Sequence, residues 1–141
     1  MKPKVYVTRK FHFSASHRVY NPMWSDEENK IIFGKCSNPG GHGHNYELEV
    51  TVAGSPDTHT GYVIDIGKLK EMIEKEVIEQ LDHRNLNTDV PFLQGRIPSS
   101  ENLIVALWDH IACLLPPEVE LVRLRLWETP RNCFEYYGEK L

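Results

Sequence analysis

Hydrophobic residues in this chain change their period partway along it, and that change limits the possible folds more than any other feature. Tyr46, Leu48, Val50 and Val52 alternate with Glu47, Glu49 and Thr51. A period of two puts one set of side chains on each face of a strand. Near the N-terminus Val5, Val7, Phe11 and Phe13 share one parity, and near the C-terminus Val122, Leu124 and Leu126 alternate with Arg123 and Arg125. A short last strand is expected around residues 134–137. Between these pairs the step becomes three or four, through Ile66, Leu69, Ile73, Val77 and Leu81. Asp65 stands where an N-cap belongs, and Glu71 and Lys75 form an i,i+4 pair, so this segment predicts an amphipathic helix. A second helix is expected from a Ser99 or Ser100 cap through Leu103, Leu107, Ile111 and Leu114 or Leu115, stopped by Pro116 and Pro117. The order ββααββ predicts an α+β fold, a four-stranded antiparallel sheet with two helices on one face.

With 141 residues, 40% of them hydrophobic, the chain has the size of one domain spanning 1–141 and needs no staples to build a core. No apolar run approaches the roughly 18 residues of a membrane span, and residues 1–20 lack the apolar core of a secretion signal, so a cytoplasmic protein with no membrane partner is expected. Three widely spaced cysteines, Cys36, Cys113 and Cys133, read as free thiols, the last two as packing residues. A net charge of −4 without a basic cluster argues against a nucleic-acid partner. The first seventy residues hold nine basic and seven acidic side chains, so a small anionic ligand suits that half better than the acidic second half.

The connection from about residue 14 to residue 43 shows no lasting periodicity, and loops that long in a compact domain are usually functional or disordered. Histidines flank it. In Gly40-Gly41-His42-Gly43-His44-Asn45 the two imidazoles, at i and i+2, point to the same face if a strand begins there. His17, just past the first strand, can supply a third ligand. Three neutral imidazoles suit zinc and leave a fourth position open for water or substrate. Spacing alone leaves open a glycine-rich hairpin with incidental histidines.

Cys36, six residues before His42, reads as a base or nucleophile, a fourth zinc ligand, or an inert loop thiol. Asp82 beside His83 could make a proton shuttle, or His83 could simply complement the dipole of the preceding helix. Glu128, at a strand end, could accept two parallel N–H donors from a heterocycle edge, or be a solvated turn residue. No phosphate-binding or dinucleotide-binding glycine motif and no GxSxG elbow is present in the sequence. His12, His59 and His110 have no partner at ligand spacing and read as surface or packing residues.

Phe13-Ser14-Ala15-Ser16-His17, the run from Phe33 through Cys36 to Asn45-Tyr46, Leu81-Asp82-His83-Arg84-Asn85-Leu86, Ser99-Ser100-Glu101-Asn102 and Glu128-Thr129-Pro130, taken together and in order, strongly resemble the 6-pyruvoyl-tetrahydropterin synthase family. The resemblance runs from about residue 5 to the C-terminus. It implies the tunnelling fold, a homohexamer built as a dimer of trimers, and active sites between subunits. Carried over by motif, it makes His17, His42 and His44 the ligands of one Zn2+ per chain, Cys36 the catalytic thiol, Asp82 and His83 a relay serving a neighbouring subunit's zinc, and Glu128 the pterin anchor. The implied reaction is conversion of 7,8-dihydroneopterin triphosphate to 6-pyruvoyl-tetrahydropterin with loss of triphosphate, in a tetrahydrobiopterin-type pathway. Lys35 and Arg18 are then candidate contacts for the triphosphate. The same scaffold carries 6-carboxy-tetrahydropterin synthase of queuosine biosynthesis. The five residues between Cys36 and His42 look like the pyruvoyl enzymes, whereas many carboxy enzymes have a shorter gap. Ser99-Ser100 departs from the family, where a threonine is common. A non-catalytic zinc module is the rival of another class, but it would not require the free thiol, the Asp-His pair and the strand-end glutamate at once.

Overall fold

The computed structural model describes residues 2–140. Two long strands, β1 (Val5–His17) and β2 (His42–Gly54), form an antiparallel pair in register over thirteen residues, from Val5 opposite Gly54 to His17 opposite His42. β4 (Glu120–Thr129) lies antiparallel on the other side of β2, and β5 (Asn132–Tyr136) returns beside β4. A two-residue strand, β3 (Arg84–Asn85), runs parallel to β1 at Ala15 and Ser16. The sheet therefore has five strands in the order β3-β1-β2-β4-β5 and is mixed, where the hydrophobic pattern predicts four antiparallel strands. Two residues carry no readable period, which is why β3 leaves no mark on the sequence.

The expected helices form. α2 (Ile66–Ile73) starts at Asp65, whose carboxylate accepts from the N–H groups of Gly67 and Lys68, and it continues through a π-helical turn (Glu74–Ile78) into α3 (Glu79–Leu81). α4 (Ser100–Ala112) is capped by Ser99, which accepts from Asn102 N–H. Leu69, Ile73, Val77 and Leu81 from one helical stretch, and Leu103, Leu107 and Ile111 from the other, are fully buried in one cluster with Phe13, Tyr46, Leu48, Val50, Leu124 and Leu126. Both helical stretches thus cover the same face of the sheet, as their apolar stripes require.

Two local differences have physical causes. The alternation expected through Val122 is broken by a register shift between Thr51 and Val52, which sets Leu121 opposite Val52 and buries Leu121 in place of Val122. The connection between β1 and β2 contains α1 (Asp26–Phe33), capped by Ser25. Ile31 and Ile32 of α1 lie exposed, so the helix buries no apolar stripe and shows no period to read. Its anchor is polar: Asn29, 1% exposed, takes the Asn21 N–H on its carbonyl oxygen and donates to the carbonyls of Asn21 and Ser25.

The opposite face of the sheet is charged. Lys10, Glu49, Arg125 and Glu135 stand opposite one another on four successive strands, so the sign of charge alternates across the sheet. Arg125 donates to Glu135 at 2.8 Å, and Trp127 donates to the buried Glu49 at 3.0 Å. Cys133 is exposed on its strand and Cys113 is exposed at the end of α4, so neither packs in the core. No helix among the described residues is long and apolar enough to cross a membrane.

Candidate metal centre and surrounding groups

The site grows out of the core alternation. On β1 the buried positions run Phe11, Phe13, Ala15 and then His17. On β2 the same face begins with His42 and His44 before Tyr46 and Leu48, and on β4 Glu128 follows Leu124 and Leu126 at the same step of two. Period-two geometry therefore delivers the three imidazoles and the carboxylate to the face that elsewhere holds the core. Register completes the placement, since His17 stands opposite His42 and Ala15 opposite His44.

One ring nitrogen from each histidine lies within 4.8 Å of the other two. The Nε2 atoms of His17 and His42 are 3.0 Å apart, and the three ring centroids are 4.6 to 5.1 Å from one another, each pair edge to face. His17 is 2% exposed, and its Nδ1 lies 2.7 Å from the Pro98 carbonyl. A carbonyl only accepts, so Nδ1 carries the proton and the Nε2 lone pair faces the other rings, the orientation a metal ligand needs. Burial holds the His17 imidazole below its usual pKa, with the Pro98 hydrogen bond opposing; burial also lowers His44, against the pull of Glu128. Neutral rings are the ligating form. His44 Nε2 is buried with no hydrogen-bond partner among the described residues and stays 3.7 Å from Glu128 Oε1. An orphaned buried nitrogen beside two converging imidazoles fits a cation such as zinc, which takes three nitrogen ligands and keeps a position free.

Glu128 is fixed from the helical layer, because the buried Ser100 hydroxyl donates to its Oε2. Tyr46 packs between these groups, fully buried, its ring stacked on Phe13 at 4.8 Å and 5.6 Å from His44. Burial, then the Glu128 charge, pushes its phenol far above the usual range, so it stays neutral.

Cys36 sits exposed in a four-residue 3-10 turn, Gly34–Ser37, and its carbonyl accepts the Val19 N–H at 2.8 Å, two residues beyond His17. The chain returns to His42 through Gly41, whose φ of 69° and 2.9 Å approach of a built Cβ to the His17 carbonyl leave no room for another residue. Asp82 and His83 follow α3. Asp82 Oδ1 accepts the Ser14 N–H at 2.8 Å, which with the His83 contact holds its carboxyl below the usual range. Asp82 Oδ2 lies 2.9 Å from His83 Nδ1. His83 itself has a φ of 60°, a left-handed conformation costing a non-glycine residue about 1–2 kcal/mol. Its N–H donates to the Ser14 carbonyl, and its ring is 83% exposed. His44 and His83 both line one cavity of about 480 Å3, with Ser14, Asn45 and Asp89.

The structure thus brings His17, His42, His44 and Glu128 together and ties Cys36 and the Asp82–His83 pair to the same end of β1. Lys35 is exposed, whereas Arg18 is mostly enclosed. Sequence reading misses Ser100 and the Pro98 carbonyl as partners of this cluster. Pro98 stands 81 residues from His17 and Ser100 28 residues from Glu128, and no local pattern reports such contacts.

Residues 6–139 match the family described as 6-pyruvoyl tetrahydropterin synthase. The chain belongs to that family. A 6-pyruvoyl tetrahydrobiopterin synthase of Pongo abelii is 47% identical over 133 residues, covering 94% of this chain and 91% of the relative. The solved structure of Caenorhabditis elegans 6-pyruvoyl tetrahydropterin synthase is 39% identical and superimposes with a TM-score of 0.90 over 98% of both chains. That likeness establishes the tunnelling fold for the present synthase-family chain, with β3 as the addition to the expected four strands. A more distant relative, the dihydroneopterin monophosphate aldolase of Pyrococcus furiosus, is 34% identical over 89% of this chain and 90% of its own length. Proteins similar to this chain thus carry the names of two different enzymes, a synthase and an aldolase.

Proposed function

We propose that the protein is a zinc-dependent 6-pyruvoyl-tetrahydropterin synthase, a lyase that converts 7,8-dihydroneopterin triphosphate to 6-pyruvoyl-tetrahydropterin and releases triphosphate. Synthase activity is supported by curated relatives at 45% and 47% identity over nearly the full chain. One observation carries the finer reading: three imidazole nitrogens within 4.8 Å of one another beside Glu128, a carboxylate already oriented by Ser100. His17, His42 and His44 would hold the zinc. When bound, it supplies Lewis-acid polarisation to the oxygens of the substrate side chain.

The protein's own groups divide the remaining work. Glu128 accepts two N–H donors from the amino-pyrimidinone edge of the pterin, with Oε1 3.7 Å from His44 Nε2 and Oε2 shared with Ser100. Cys36, as thiolate, removes a proton from a side-chain carbon. His83, held by Asp82, moves protons to and from the side-chain oxygens and carbons. The reaction is internally redox-neutral: carbon–hydrogen bonds on the side chain are exchanged for carbonyl groups and for reduction of the ring, while the carbon–oxygen bond to triphosphate breaks. It needs no external oxidant and no nicotinamide or flavin.

Assembly belongs to the same reading. β5 and most of β1 are open sheet edges, an arrangement that must be paired, covered or blunted. The charged row ends in Lys10 on β1 and Glu135 on β5, so head-to-tail pairing of copies sets opposite charges side by side. This supports trimers that stack as a homohexamer, with the exposed His83 serving the next subunit's site. A cytoplasmic setting fits three free thiols, and residues 1–141 act as one domain.

The test is a product assay by mass spectrometry with 7,8-dihydroneopterin triphosphate and the purified protein. The pyruvoyl pterin with free triphosphate is expected. A 6-carboxy pterin with acetaldehyde would move the protein to the queuosine-type reaction, and an aldol fragment to the aldolase branch of the family.

A further inference from the structure

Arg18 directly follows the metal-site candidate His17, yet its guanidinium turns away into the fold. Its Nε donates to the Ser37 carbonyl at 2.7 Å, its Cζ lies 3.7 Å from the centre of the Tyr20 ring, and Nη2 is 3.9 Å from Asp26. The side chain is 21% exposed. Its backbone is gripped as well: Arg18 N–H donates to Asn87 Oδ1 at 2.7 Å, and Asn87 Nδ2 donates back to the Arg18 carbonyl at 2.8 Å. The next residue, Val19, donates its N–H to the Cys36 carbonyl. Residues 18 and 19 therefore hold two successive carbonyls of the thiol-bearing turn, and through Asn87 they hold the loop that follows β3.

That turn has little to fix it from within. It is a single 3-10 turn closed by the Ser37 hydroxyl on the Gly34 carbonyl, with Gly34 at a φ of 58° on one side and Gly40 and Gly41 on the other. Glycines allow the backbone many conformations, and Cys36 is exposed. Proton abstraction tolerates little misplacement, since an error of about 1 Å can cost on the order of a hundredfold in rate.

We propose that Arg18 is a positioning residue for Cys36: its guanidinium, clamped between the Ser37 carbonyl and the Tyr20 ring, fixes the thiol relative to the three-histidine cluster. The inference rests on the proposed role of Cys36. It also departs from the triphosphate contact expected of the Arg18 charge, because its Nε and one face of its guanidinium are already engaged, by Ser37 and Tyr20. Lysine cannot replace it. An ammonium has no flat face to lie on Tyr20 and no Nε–H at the same reach.

The experiment compares Arg18→Lys, Tyr20→Leu and Cys36→Ala with the unmodified, metal-loaded protein. In Arg18→Lys, kcat should fall by roughly ten- to a hundredfold while KM for the pterin triphosphate stays within about twofold and metal content is unchanged. The rate of iodoacetamide labelling at Cys36, followed by peptide mass spectrometry, should change by at least about threefold, with the exposed Cys113 and Cys133 as unchanged internal references. Tyr20→Leu removes only the stacking face and should shift kcat and labelling in the same direction by less, which preserves the test if Arg18→Lys does not fold. A rise in KM at constant kcat would make Arg18 a substrate contact and overturn the proposal, as would unchanged kcat and labelling in both variants. Full turnover by Cys36→Ala would overturn the assignment of Cys36 instead, while the labelling rates would still decide whether Arg18 holds the turn.

Discussion

The two ends of one sheet face share a backbone and differ in everything else. At the far end, Val50, Val52 and Leu124 stand on β2 and β4 with no exposed surface. At the near end the same alternation carries His17, His42, His44 and Glu128. Each apolar side chain contributes roughly 1.5–3 kcal/mol when fully buried. The near end contributes nothing of the kind, because its imidazoles are pushed together, His44 Nε2 is left unpaired, and burial disfavours the protonated form of His17 and His44. The strands set the positions, and residue type decides whether a position supplies stability or chemistry. A bound cation is what would make the polar end favourable, by taking up lone pairs that the protein leaves facing one another.

The largest effect should come from breaking the polar end. His44→Ala should abolish metal retention through gel filtration, measured by elemental analysis, and lower turnover by at least about a hundredfold, with the fold intact by circular dichroism. Full metal retention would dissolve the contrast between the two ends. Breaking the apolar end should act on the opposite quantity. Leu48→Ala, at a fully buried position, should cost about 2–5 kcal/mol in urea unfolding while the folded fraction keeps its metal.

Glu128→Gln sharpens the boundary between the ends. One of its head-group atoms becomes a donor, so pterin binding measured by calorimetry should weaken by about 1.5–3 kcal/mol, the worth of a charge-assisted hydrogen bond. Unchanged affinity would make Glu128 a structural partner of Ser100 and no more.

The smallest effect is in the metal-free protein. The folded pKa values of His17 and His44 lie below the unfolded value of about 6.5, so the unfolded chain binds more protons and acidification favours unfolding. Stability of the metal-free protein should therefore fall as pH drops below about 6.5 and level off only once the folded-state values are passed. His44→Leu, which extends the apolar pattern into the site, should flatten that slope in pH-resolved thermal melts. An identical slope in the variant would mean that the buried imidazoles do not distinguish this end of the sheet.

Much of this was legible from residue patterns. Alternation marks β1, β2 and β4, the three-or-four step marks α2 and α4, and Asp65 and Ser99 cap where their side chains imply. His42 and His44 declare a shared face by their spacing alone. α1 escapes because a helix held by one buried asparagine needs no apolar stripe, and β3 escapes because two residues have no period.

Short-range periodicity is enough to fix the set of ligand-type residues and the face that each strand shows. Tertiary structure alone decided that His17 meets His42, that Pro98 sets the His17 tautomer, that Ser100 holds Glu128, and that Arg18 reaches the carbonyl of Ser37 rather than solvent. Those contacts join residues 19 to 81 positions apart. They depend on strand register and on how the helical layer seats on the sheet, and no local rule of spacing carries that information.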